Sequence, residues 1–134
     1  MKEVRLSEVS RVYGRSFALH RITTSFRAGS ATALVGGNGA GKTTLLNILA
    51  TLDRPTSGAV SFGGVSFDQT SKGGRRNIGW VSHDSLVYDD LTGFENLQFY
   101  GQMYGIPDPN KTAHAWLERV GLDDVGDRRV SAYS

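Results

Sequence analysis

The 134-residue chain carries 15 Lys and Arg residues against 13 Asp and Glu residues, for a formal net charge of +2, and it has no cysteine. So small a basic excess gives no support for nucleic-acid binding, and the lack of cysteine excludes disulfides and thiolate metal sites. No apolar stretch has the length that crosses a bilayer, and the charged N-terminus lacks the apolar core of a signal peptide. We therefore expect one cytoplasmic domain of ordinary size.

The first third of the chain favours short strands. Apolar and polar residues alternate at positions 4–6, 17–19 and 22–26, as is typical of half-buried strands. Residues 31–35, Ala-Thr-Ala-Leu-Val, predict a short buried strand, and residues 44–50 predict a helix. A loop rich in glycine separates this strand from this helix.

That loop carries the strongest motif in the chain. Residues 36–43, GGNGAGKT, fit the phosphate-binding pattern G-x-x-x-x-G-K-[ST]. Glycines let successive backbone N–H groups turn towards phosphates, and the helix N-terminus adds a partial positive charge. Lys42 would supply a full charge to the outer phosphates, and the Thr43 hydroxyl would ligate Mg²⁺. The predicted phosphate-binding residues are Gly36, Asn38, Gly39, Ala40, Gly41, Lys42, Thr43 and Thr44.

Further strands should follow the loop and its helix. Residues 53–58 form a turn cluster, and residues 59–62 predict a strand with a second extended piece at 65–67. Residues 78–81, Ile-Gly-Trp-Val, predict another buried strand.

Helices are predicted after residue 90. Thr92 and Glu95 form a capping box for a helix that should end near Tyr104. Asp108 can cap a second helix, and Gly121 stands where a left-handed C-cap belongs. Apolar residues of this second helix recur at the spacing of one buried face: Ala113, Trp116, Leu117 and Val120.

One segment offers an alternative site. Residues 86–90, Leu-Val-Tyr-Asp-Asp, resemble an apolar strand that ends in catalytic acids. The apolar run is short, which favours a solvated loop that leads into the capped helix.

With these motifs in place, the chain resembles the ATP-binding subunits of ABC transporters over essentially its whole length. The likeness includes residues 30–43, the turn Pro-Thr-Ser-Gly at 55–58, and Leu-Thr-x-x-Glu-Asn-Leu at 91–97. Tyr13 matches the aromatic residue that stacks on adenine in that family. Tyr133 and Ser134 resemble the first two positions of the family's signature sequence.

The resemblance implies an α/β fold. We expect a P-loop NTPase core of the RecA type with an antiparallel β-subdomain over residues 1–90, followed by the start of a helical subdomain over residues 91–134. The family's catalytic carboxylates have no counterpart in the chain, which predicts a partial ATPase domain truncated before the strand that carries them.

His83 departs from the family pattern, since a glutamine usually stands at this position beside the Mg²⁺–water site. An imidazole can donate or accept a hydrogen bond there, so His83 is the candidate catalytic residue, with a surface role as the alternative. Residues 82–88, followed by Phe99 and Tyr100, also resemble the haem-exporter ATPase of cytochrome c maturation.

The resemblance implies a function as well. The chain would bind Mg²⁺ and ATP as part of a subunit that couples ATP hydrolysis to transport. Its partners would be a transmembrane subunit and a second ATPase subunit, at the inner face of the cell membrane. Two alternatives stay open: a nucleotide-binding fragment without turnover, and a GTPase or kinase, although Asn110-Lys111-Thr112-Ala113 lacks the aspartate of a guanine-recognition motif.

Overall fold

A computed structural model describes residues 3–82 and 85–133, apart from the side chain of Arg76. The chain divides into two compact units, Met1–Trp80 and Val81–Ser134. The first unit contains a sheet with the phosphate loop and its helix, and the second contains a pair of helices.

The sheet of the first unit is antiparallel throughout. It follows the order β2-β1-β3-β4, so the first two strands form a hairpin and β1 also pairs with β3. The strands predicted at 4–6, 17–19, 22–26 and 59–62 are confirmed, with the second and third merged into one. The bounds are β1 Glu3–Tyr13, β2 Ser16–Arg27, β3 Ser57–Phe62 and β4 Val65–Ser66.

Helix α1, Lys42–Leu49, packs on this sheet. Its buried residues Leu45 and Ile48 belong to one apolar cluster with side chains from three strands and from Phe67. Because Leu45 and Ile48 lie three positions apart, they share the face of the helix that meets the sheet. The strand members of the cluster are Leu6, Val9, Leu19, Val60 and Phe62.

Short helical turns complete the first unit. Phe67–Gln69 forms a single turn, α2, where the sequence predicted a longer strand. The Ser66 hydroxyl accepts a hydrogen bond from the Gln69 amide at 3.4 Å, so this serine starts a helix instead of extending the strand. A π-helical turn at Thr70–Gly74 and a 3₁₀ turn at Arg75–Asn77 follow.

Two predicted strands, at residues 31–35 and 78–81, do not form. A strand requires a backbone partner, and neither segment has a ladder within residues 3–82 and 85–133. Val35 is accordingly 89% exposed and Val81 93% exposed. Their apolar composition is that of buried strands, but composition does not supply the neighbouring strand.

The second unit contains two main helices, α3 Gly93–Met103 and α4 Pro109–Val120, with 3₁₀ turns at Asp123–Val125 and Val130–Ala132. The predicted capping box is confirmed: Glu95 N–H donates to Thr92 Oγ1 at 3.0 Å, and Thr92 N–H donates to Glu95 Oε2 at 2.8 Å. None of the described helices combines the length and the apolar character needed to cross a membrane.

The end of α4 also agrees with its sequence, but its buried face is narrower than predicted. Gly121 has a φ of 70°, the left-handed conformation expected of a C-cap glycine. Ala113 and Leu117 are buried, whereas Trp116 is 48% exposed and Val120 58% exposed. Of the four residues predicted to form the buried face, only Ala113 and Leu117 therefore belong to the core of this unit.

Candidate functional site

The phosphate loop is an exposed segment whose end is fixed against the sheet. Residues 31–40 are exposed, and Gly41 has a φ of 85°. A Cβ at Gly41 would lie 2.3 Å from the Ala18 carbonyl oxygen and 2.8 Å from a Leu19 methyl carbon. Only glycine combines this left-handed backbone with so close an approach to β2. The packing therefore sets where the loop ends and α1 begins.

Lys42 lies at the first position of α1 and turns back over the loop. Its Nζ donates to the carbonyl oxygens of Gly36 and Gly37, each at 2.7 Å. These bonds place the ammonium group at the loop and hold the first two glycines of the motif beneath it. A positive charge therefore stands where the motif predicts it.

The N-terminus of α1 presents free donors beside that charge. The first amides of any α-helix lack intrahelical acceptors, and none of the described side chains caps this one. The first turn holds no acidic residue that would neutralise the helix dipole. Uncapped amides with an adjacent ammonium group suit an anion such as a phosphate.

Thr43 and Thr44 follow Lys42 in the first turn of the helix. Thr43 is exposed and Thr44 is half-buried, so the Thr43 side chain is accessible to a ligand. In the described part of the chain, no three His, Cys, Asp or Glu side chains group together as a metal site would require.

Tyr13 lies at the end of β1, in the same compact unit as the loop. It is 49% exposed, which leaves ring surface accessible to a planar ligand. Its hydroxyl donates to Oδ2 of Asp53, and the Arg11 guanidinium carbon lies 4.5 Å from the ring centre. Tyr13 is therefore an anchored aromatic side chain with accessible surface.

Sequence reasoning missed Arg11 and Asp53. Arg11 donates to the Asp53 carboxylate from Nε at 2.9 Å and from its terminal nitrogen at 2.7 Å, a bidentate ion pair. The position of Arg11, two residues before Tyr13, could have indicated a contact between them, since alternate residues of a strand share a face. Asp53 lay in a turn cluster, where an aspartate is expected for local reasons.

The Asp53 carboxyl is only partly exposed. Burial acts to raise its pKa. Hydrogen bonds from Tyr13 and the Arg54 amide, together with the charge of Arg11, outweigh that effect, so the pKa of Asp53 lies below its ordinary value. The group is thus a carboxylate at neutral pH.

His83, the candidate catalytic residue, lies outside the described residues, as does Ser134. The alternative catalytic acids, Asp89 and Asp90, lie in an exposed segment without strand structure. That placement agrees with the solvated loop predicted for residues 86–90.

A loop with the G-x-x-x-x-G-K-[ST] pattern that leads into an uncapped helix is typical of P-loop nucleotide-binding domains. The family model described as ABC transporter matches residues 19–134. The chain belongs to the ABC transporter family and is homologous to the ATP-binding subunits of transporters.

Curated relatives agree with this assignment. The chain is 36% identical over 135 residues to the doxorubicin resistance ATP-binding protein DrrA of Mycobacterium tuberculosis, with 98% of this chain and 41% of the relative covered. It is 35% identical over 133 residues to the sulfate/thiosulfate import ATP-binding protein CysA of Pectobacterium atrosepticum, with 93% and 39% covered. The chain thus spans about two fifths of the length of these relatives.

Solved structures agree on the fold. A dimeric structure of the ATP-binding cassette MJ0796 bound to ADP and Pi has a TM-score of 0.85 and 25% sequence identity. The match covers 98% of this chain and 63% of that chain. The expected P-loop NTPase fold with an antiparallel β-sheet is confirmed.

Proposed function

We propose that the chain binds Mg-ATP as part of a transporter subunit that couples ATP hydrolysis to transport across a membrane. The observation that carries the proposal is the phosphate loop, where the Lys42 ammonium group lies over two glycine carbonyls beside the uncapped start of α1. This arrangement offers a fixed charge and free amides to a triphosphate, whose developing charge must be stabilised during hydrolysis.

Each predicted site residue has a role in this proposal. Lys42 and the amides of the loop hold the phosphates, with Thr44 beside them. Thr43 ligates Mg²⁺, which would neutralise phosphate charge when bound. Tyr13 offers its ring to the adenine, and its half-exposed position supports that role. His83 is proposed as the catalytic residue because of its place in the sequence.

The proposal extends to partners and location. The chain would act with a transmembrane subunit and a second ATPase subunit, at the cytoplasmic face of the membrane. The dimeric MJ0796 cassette supports the ATPase pairing. Residues 1–90 would form the nucleotide-binding core, and residues 91–134 would belong to a helical subdomain.

No particular cargo is proposed. The relatives named above comprise a resistance protein and an import protein. They lend no support to haem export, so that interpretation stays a prediction from residues 82–88. The GTPase or kinase alternative finds no support in the family match.

Replacement of Lys42 tests the proposal. Calorimetry should show that Lys42→Ala weakens both Mg-ATP and inorganic tripolyphosphate by about ten- to a hundredfold, because a charge-assisted contact is lost. Lys72→Ala is the matched control, since Lys72 is an exposed lysine of the same unit. Equal ATP affinity in wild type and Lys42→Ala would show that the loop does not hold the triphosphate.

A further inference from the structure

The ring of Tyr13 is held by two polar side chains that the proposed function does not use. Its hydroxyl donates to Asp53, and the Arg11 guanidinium carbon lies over the ring, 4.5 Å from the ring centre. A tyrosine that only offered a stacking surface would need neither contact. Tyr13 is still 49% exposed, so the arginine leaves part of the residue's surface for a ligand.

The Asp53 carboxylate is itself rigidly placed. It receives two hydrogen bonds from the Arg11 guanidinium, at 2.7 and 2.9 Å, and one from the Arg54 amide at 2.8 Å. The Asp53 side chain is 19% exposed and that of Arg11 is 24% exposed. A shielded, bidentate pair of this kind holds its geometry better than an exposed ion pair.

Asp53 is anchored to the C-terminal end of α1. The backbone amides of Leu52 and Asp53 both donate to the Asn47 carbonyl oxygen, at 2.8 and 3.2 Å. The turn that follows is bonded to β1, where Thr56 N–H donates to the Ser10 carbonyl at 2.8 Å. The helix that begins at the phosphate loop is therefore followed by a turn whose Asp53 is bonded back to the last turn of the helix and holds Tyr13.

The structure thus joins two parts of one site through a helix. Eight residues of α-helix, Lys42–Leu49, span about 12 Å at 1.5 Å per residue. The phosphate loop lies at one end of this span and the Asp53 anchor at the other. A rigid spacer of this kind fixes how far a stacking surface stands from bound phosphates.

We propose that Asp53 and Arg11 are positioning residues for the nucleotide: they fix the Tyr13 ring relative to the phosphate loop through α1. The inference rests on the proposed function. Asp53, Arg11 and Tyr13 would contribute to binding of the nucleoside part of the ligand. The phosphate loop would bind the phosphates without them. Removal of the Asp53–Tyr13 contact should therefore weaken binding of ATP but not binding of a phosphate chain that lacks the nucleoside.

The test compares Mg-ATP and inorganic tripolyphosphate as titrants of the full chain by calorimetry. Tyr13→Phe removes only the hydroxyl and should weaken ATP about three- to tenfold, the usual net value of one hydrogen bond. Asp53→Ala should weaken ATP at least as much, because it releases both the phenol and the guanidinium. Tripolyphosphate affinity should stay within about twofold in both variants.

Asp68→Ala is the matched control, since Asp68 pairs with Arg54 at 2.7 Å in the same unit and both side chains are mostly exposed. It should leave both affinities unchanged. Wild-type ATP affinity in Tyr13→Phe and Asp53→Ala would overturn the inference. Equal losses for the two titrants would also overturn it, because they would indicate a general role in the fold. A wild-type chain that binds neither titrant would instead refute the proposed function itself.

Discussion

At the scale of single residues, Asp53 shows how one carboxylate can organise a surface. It accepts hydrogen bonds from the Tyr13 phenol, the Arg11 guanidinium and the Arg54 amide. Each of these donors favours the charged form of the acid, and together they exceed the opposing effect of burial. The same contacts that place the tyrosine thus tie the stability of the first unit to pH.

The sign of this dependence follows from the lowered pKa. A depressed carboxyl contributes stability that is present above the ordinary value of 3.8 and is lost as the pH falls through the lower value of the folded state. Asp53→Asn cannot titrate, so its stability relative to wild type should improve as the pH falls from 6 towards 2.5 (about the range in which aspartates titrate). Urea unfolding across this range checks the prediction. A difference in unfolding free energy between wild type and Asp53→Asn that does not change with pH would contradict the prediction.

Asn96 has a comparable role in the second unit. This asparagine is 3% exposed, and its side-chain amide donates to the carbonyls of Tyr88 and Thr92 at 2.9 and 3.0 Å. Its oxygen accepts the Tyr88 amide at 2.8 Å. The side chain therefore holds the segment before α3 against the start of that helix.

A carboxylate has no proton to donate to either carbonyl. Asn96→Asp should therefore cost about 1–3 kcal/mol of unfolding free energy, the penalty for unsatisfied buried polar groups. Urea denaturation measures this loss. Gln102→Glu makes the same chemical change at an exposed position of α3 and should stay within about 0.5 kcal/mol of wild type. Equal losses of unfolding free energy in the two variants would show that the buried hydrogen bonds of the Asn96 side chain do not stabilise the second unit.

At the scale of elements, sequence signals predict structure correctly where the hydrogen-bonding partners lie within a few residues of each other. The box of Thr92 and Glu95, the Asp108 cap and Gly121 all mark the ends of α3 and α4 as the sequence indicated. Each signal works through bonds between residues three or four positions apart. The strands predicted at 31–35 and 78–81 depend on remote partners, so their composition could not establish them.

The capping box offers a test at this scale. Thr92→Ala should destabilise the second unit by about 1 kcal/mol, because the Glu95 amide loses its acceptor. Thr92→Ser keeps the hydroxyl and should recover most of that loss. Thermal unfolding of the three proteins compares them directly. A serine variant as unstable as the alanine variant would show that the methyl group, and not the cap, matters.

At the scale of the whole molecule, the family and the phosphate loop could be predicted from sequence, whereas the link between the tyrosine and the loop could not. The loop is a contiguous motif, and its residues fit one pattern. The Tyr13–Asp53 contact joins positions 40 residues apart. A single sequence contains no signal for such a contact, because the pairing emerges only when β1 meets the turn after α1.

The central claim is that backbone amides of the phosphate loop and the start of α1 bind the phosphates of ATP. Hydrogen exchange of the loop amides tests it most directly, with and without Mg-ATP, in wild type and in Lys42→Ala. Mg-ATP at about ten times the wild-type Kd should slow exchange of the amides over residues 41–44 in wild type, because bound phosphates occupy these donors. At the same nucleotide concentration, Lys42→Ala should show little slowing. Slowed exchange elsewhere, with the loop amides unchanged, would contradict the account.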